Sequence, residues 1–90
     1  MTQEDFNLFT ASFSIIRANK GMRIQHEQAV NNYENLLKQF KGSEKNTAVK
    51  LKMKEVESKI KDIKKEIEKI DKALPKFEKV YNSLEKKYFN

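Results

Sequence analysis

Ninety residues make at most one domain, and a chain this short buries only about 60 to 65% of the surface its unfolded form exposes. Charged residues are 36% and hydrophobic residues 38%, with two Gly and one Pro, a bias that belongs to long helices and argues against a sheet domain or a disordered chain. Cysteine is absent, which excludes a disulfide framework, a thiolate metal site and a cysteine nucleophile.

The first predicted element begins at Thr2, an N-cap residue, with Glu4 and Asp5 in the first turn where the helix dipole favours acids. These residues stand where a secretion signal would need bases. The apolar segment from Phe6 to Ile16 is broken by Asn7, Thr10, Ser12 and Ser14, so it resembles neither a signal core nor a membrane span. The expected location is the cytoplasm.

Phe6, Phe9, Phe13 and Ile16 form one apolar stripe at helical spacing. Met22, His26, Ala29, Tyr33, Leu36 and Phe40 form a second, flanked by Val30 and Leu37. The step from Ile16 to Met22 is one residue short of a heptad, which predicts a phase shift, with a kink or a break, around Asn19, Lys20 and Gly21. Helix 1 is expected over about 3–40. A turn is expected over 41–46, because Gly42 suits the left-handed position after a helix and Ser43, followed by Glu44, can cap the next one.

Helix 2, expected over about 47–89, has the most regular pattern in the chain. Val49, Met53, Val56, Ile60, Ile63, Ile67, Ile70, Leu74, Phe77, Tyr81, Leu84 and Tyr88 alternate steps of four and three, the mark of a coiled-coil seam. Pro75 removes one helical hydrogen bond and crowds the turn before it. The unbroken phase across it predicts a kink near Pro75 and no reversal.

Folded about residue 42, the two helices make an antiparallel hairpin, an all-α fold filling 1–90 as one helical domain. That register sets Phe6 near Phe77 and Tyr81, Phe9 near Leu74, Phe13 near Ile70, Ile16 near Ile67 and Tyr33 near Met53. Leu84, Tyr88 and Phe89 are left as an overhang without an internal partner. Ile15, Ile24, Val30, Leu37, Leu51 and Val80 widen the apolar faces beyond what two helices can cover. The surplus predicts assembly into a helical bundle, by homodimerisation or with another protein.

Chemistry has little to build on. His26 is the only histidine and no carboxylate cluster stands at ligand spacing, so it reads as a packing residue. There is no Gly-rich phosphate loop, and no serine has a base at a suggestive spacing. The expectation is a chain that is not an enzyme, with no cofactor, no metal, no small-molecule substrate and no membrane partner.

Two surfaces are candidates for binding. For a protein partner they are Phe6, Phe9 and Phe13, spaced as the anchors of a helix that docks in a groove, together with Leu84, Tyr88 and Phe89. The alternative is nucleic acid. The net charge of +6 falls entirely in the second half, where 15 lysines face 9 acids, and Lys65, Lys69, Lys72, Lys76, Lys79 and Lys86 form a stripe that could follow phosphates. Interleaved acids (Glu57, Asp62, Glu68, Asp71, Glu78 and Glu85), i, i+4 pairs such as Glu68 with Lys72, and the absence of arginine from this half favour an ordinary solvated face.

Overall fold

The computed structural model describes residues 1–89, and these form an all-α helical hairpin of two helices. α1 spans Gln3–Gln39 and α2 spans Thr47–Phe89. Their contacts fall into two compact units. One joins Met1–Arg23 to the residues from Lys69 onward, and the other is Ile24–Glu68.

The helix ends follow local chemistry. Thr2 caps α1, its Oγ1 accepting the Asp5 backbone N–H at 3.1 Å. At the other end Gly42 takes φ +94°, a left-handed conformation that glycine enters without steric penalty, and lets the chain turn. Asn46, not Ser43, caps α2: its Oδ1 accepts the Ala48 N–H at 2.9 Å and the Val49 N–H at 3.4 Å. Ser43 instead lies inside the turn, where its N–H reaches the Phe40 carbonyl and its own carbonyl receives the Asn46 N–H. Glu44 therefore also lies in the turn.

α2 runs uninterrupted through Pro75, and every residue of its expected seam from Val49 to Tyr88 is buried or half-buried. In the Ile24–Glu68 unit this seam builds the core. Val30, Val56 and Ile60 are buried together, with Tyr33, Leu36, Leu37, Ile63 and Ile67 packed around them.

α1 departs from expectation. It continues through Gly21 without a break, and its half-buried and buried positions include Asp5, Phe9, Ser12, Ile16, Asn19, Arg23, His26, Val30, Tyr33, Leu37 and Phe40, an unbroken alternation of four and three, with Ala29, Glu34 and Leu36 half-buried beside it in the C-terminal half. The phase shift predicted around Asn19 to Gly21 is absent. A phase shift would have required local under- or overwinding of the helix. The chain instead carries the apolar line of Val30, Tyr33 and Leu37 straight toward the N-terminus and accepts polar residues in it. Ser12 is buried, and Arg23 and Asp5 find partners on α2.

The register also differs. Phe9 stacks on Tyr81, with ring centroids 4.7 Å apart and planes 18° from parallel, where Leu74 was expected. That is a slip of one heptad, and it leaves seam facing seam, so the apolar pattern alone cannot detect it. Part of the slip is geometric. Helical side chains lean toward their own N-terminus, so in an antiparallel pair the residues that touch are higher in number than the backbones that lie opposite.

Candidate interaction surface

The slip provides partners for the residues expected to overhang. Leu84 is buried in the seam, the Tyr88 hydroxyl donates to the Asp5 carboxylate, and the Phe89 ring lies 5.6 Å from that of Phe9. Of these three only Phe89 keeps much of its surface in solvent. The overhang does not exist, because α2 is matched by α1 almost to its end.

The polar members of the α1 seam find partners in the register that is adopted. Arg23 reaches Asp71 with two hydrogen bonds, Nε to Oδ1 at 2.6 Å and Nη2 to Oδ2 at 3.3 Å, the forked geometry that suits guanidinium and carboxylate. This contact holds the Asp71 carboxyl below and the Arg23 guanidinium above its ordinary pKa. Asp5 receives the Tyr88 hydroxyl and the Lys87 ammonium, the latter at 3.2 Å, and these bonds hold its carboxyl below the usual aspartate range. Arg23, Asp71 and Lys87 keep much of their side chains in solvent and only Asp5 is mostly covered, so each pair adds modest stability. In the other unit Lys59 lies over the Tyr33 ring, 5.8 Å from its centroid, and Lys64 approaches Glu34 at 3.8 Å.

The same polar line displaces the bulky residues of α1 to its shoulders. Phe6 and Phe13, seven residues apart, are 51% and 48% exposed on one side of the seam. Phe13 keeps only a tilted contact with Tyr81 at 6.0 Å. Leu8, Ile15 and Met22, also at intervals of seven, are 52%, 37% and 46% exposed on the other side. Phe9, the remaining aromatic anchor candidate, is half-buried and belongs to the seam. From Phe6 to Ile16 no residue is charged, although more than a third of the whole chain is, so the two shoulders of α1 are apolar over three turns, with the uncharged Asn7, Thr10 and Ser14 exposed between them. Ile24, Leu51 and Val80 are exposed as well, whereas Val30 is buried and Leu37 half-buried. The sequence contains the signal that separates these roles. Extending the Val30, Tyr33, Leu37 line toward the N-terminus in strict heptads lands on Arg23, Ile16 and Phe9 and leaves Phe6, Leu8, Phe13 and Ile15 outside.

The lysines of the stripe, Lys65, Lys69, Lys72, Lys76, Lys79 and Lys86, are all exposed and lie on the side of α2 away from its seam. Lys69 and Lys72, like the acids Glu66 and Glu68 near them, are engaged in further polar contacts. A surface depression of the Ile24–Glu68 unit is open to solvent and places Glu57, Lys61, Lys64, Lys65 and Glu68 around Ile60. His26 is half-buried. Among the described residues no three of His, Cys, Asp and Glu are grouped so as to hold a metal ion, and no helix is long and apolar enough to cross a membrane. Compared with models of protein families, with curated proteins and with solved structures, the chain has no match.

Proposed function

We propose that this chain is a non-catalytic coiled-coil module of the cytoplasm that binds other proteins by helix-against-helix burial, in the manner of an adaptor, regulator, inhibitor or assembly component. The observation that carries the reading is the displaced apolar surface of α1. A helix that turns Phe6 and Phe13 outward while burying Ser12 has surface to offer that its own hairpin does not cover. The surplus is taken up by a partner protein or by a second copy, and the chain alone forms a homodimer. The Phe6 and Phe13 shoulder runs on to Arg17 and Lys20, both exposed, so its match is an amphipathic helix that carries apolar anchors and carboxylates. Loading the wild-type chain and a Phe6→Glu, Phe13→Glu variant onto matrices in parallel, with mass spectrometry of what each retains, tests this. The reading requires proteins held by the first and lost from the second. Identical sets on both matrices would contradict it.

A second reading is favoured by the outward row of six exposed lysines, which suits a sequence-independent hold on nucleic-acid phosphates. Electrophoretic mobility shifts at low and moderate salt decide it. A complex that weakens steeply with salt supports this reading, and the absence of any shift at low salt eliminates it.

A further inference from the structure

We propose that the Leu8, Ile15 and Met22 shoulder of α1 is a self-association surface, on which α1 of a second copy lies antiparallel about a two-fold axis passing between Ala11 and Ile15. The inference rests on reading the chain as an interaction module, and it names one occupant for one of its two shoulders.

Charge limits where two copies can meet. Two copies, each at +6 with the excess on α2, repel one another unless they meet where there is no charge. The stretch from Phe6 to Ile16 is such a place. On the Phe6 and Phe13 side the surface continues into Arg17 and Lys20, whereas on the Leu8 side it continues through Ala11, Ile15 and Ala18 to Met22 with no charged side chain.

Symmetry is the second limit. A two-fold contact must be complementary to itself, each residue meeting the one that mirrors it about the axis. Glu4, Leu8, Ala11, Ile15, Ala18 and Met22 step four and three along one exposed line, and after Glu4 large and small side chains alternate on it. An antiparallel second copy, centred between Ala11 and Ile15, sets the large residues Leu8 and Ile15 against small ones. Leu8 faces Ala18, and Ile15 faces Ala11. The four pairs this makes interdigitate, because a methyl group leaves room for the branched side chain opposite and lets the helices approach closely. At each end Met22 meets Glu4, whose methylenes cover the thioether while its carboxylate stays in water.

Size limits how tightly they hold. Leu8 and Met22 are about half exposed and Ile15 a little over a third, so with Ala11 and Ala18 they offer on the order of 200 Å² of apolar side chain per copy, against about 800 Å² per partner in a standard stable interface. The contact is therefore weak and reversible.

The chain has no cysteine, so single cysteines report cleanly on the geometry. An equimolar mixture of Ala11→Cys and Ile15→Cys should form disulfide-linked dimers under mild oxidation at about 100 µM, a concentration at which a weak contact is populated. The two variants differ in mass, and dimers joining one to the other should exceed the half share that random pairing gives. Lys72→Cys, on the outer side of α2, sets the rate of chance collision. Sedimentation of the wild type should show an average mass that rises with concentration, and a Leu8→Glu, Ile15→Glu variant, which retains helical circular dichroism because both residues are exposed, should lose that rise. Linking between the Ala11 and Ile15 variants no faster than that of Lys72→Cys with itself would overturn the proposal. So would a mass that rises equally in the charged variant, which would leave self-association standing but move it to another surface. A wild type that stays monomeric would overturn the proposal and the homodimer together, while leaving partner capture through Phe6 and Phe13 intact.

Discussion

Ile60→Ala should remove a large share of the stability of this hairpin, whereas Leu51→Ala, on the same helix, should remove almost none. Ile60 is 9% exposed and packs with Val30 and Val56, the latter 2% exposed, at the centre of the Ile24–Glu68 core. Taking away most of a side chain that buries about 100 Å² loses about 2.5 kcal/mol of transfer free energy at 25 cal/mol per Å². A residual cavity adds to this, although a core between two helices can partly close around the gap. The better helix propensity of alanine returns about 0.4 kcal/mol. The net is a loss of about 2 to 3 kcal/mol. Leu51 is 61% exposed, and its truncation should stay within about 0.5 kcal/mol. A domain of this size holds only about 5 to 13 kcal/mol in total. Urea unfolding followed by circular dichroism, at one fixed protein concentration so that association does not differ between samples, measures both. With a slope of about 1 to 1.5 kcal/mol per molar urea, the Ile60→Ala midpoint should fall by about 1.5 to 3 M. Equal shifts for the two variants would mean that the buried line of α2 is not the seam described here.

Gly21→Ala should stabilise α1 by about 0.5 to 1 kcal/mol in the same assay, because the helix passes through Gly21 and a methyl group there meets nothing within 4 Å. Gly42→Ala should destabilise by about 1 kcal/mol, since φ at that position is +94°. Asp5 and Asp71 both have carboxyl pKa values lowered by folding. Their contribution is therefore present above the unfolded aspartate value of about 3.9 and disappears as pH falls through the lower folded values. An Asp5→Asn, Asp71→Asn variant should lose less stability than the wild type between pH 5 and pH 2, measured by thermal melting across that range.

The pattern of α2 could be read residue by residue, because twelve apolar positions in strict heptads leave one helical face as the only choice. The hairpin followed from Gly42 and the two stripes. What escaped the pattern was the phase of the N-terminal half of α1 and the register. Phe6, Phe13 and Met22 are more hydrophobic than Ser12, Asn19 and Arg23, so a reading by hydropathy selects the first set. The folded chain selects the second because a helix that runs on through Gly21 without a break carries the face set by Val30, Tyr33 and Leu37 into its N-terminal half. The register escaped because a heptad slip preserves every apolar contact class. Arg23 with Asp71 and Asp5 with Tyr88 mark the register adopted, and their complementarity becomes visible only when both helices are in place. The surface residues Leu8 and Ile15 became candidates for binding for the same reason, since their exposure is a consequence of that phase.

The most direct test of the account is the reactivity of single cysteines along α1 toward a small thiol reagent, at a protein concentration low enough to keep the chain monomeric. Ser12→Cys lies on the buried line, and Phe13→Cys, one residue on, lies on the exposed shoulder. With the seam phase described here, the cysteine at 12 reacts many times more slowly than in urea, and the cysteine at 13 reacts at close to its unfolded rate. Protection of position 13 with free reaction at 12 would show that α1 buries its phenylalanine stripe after all, and would leave the proposed interaction surface without its foundation.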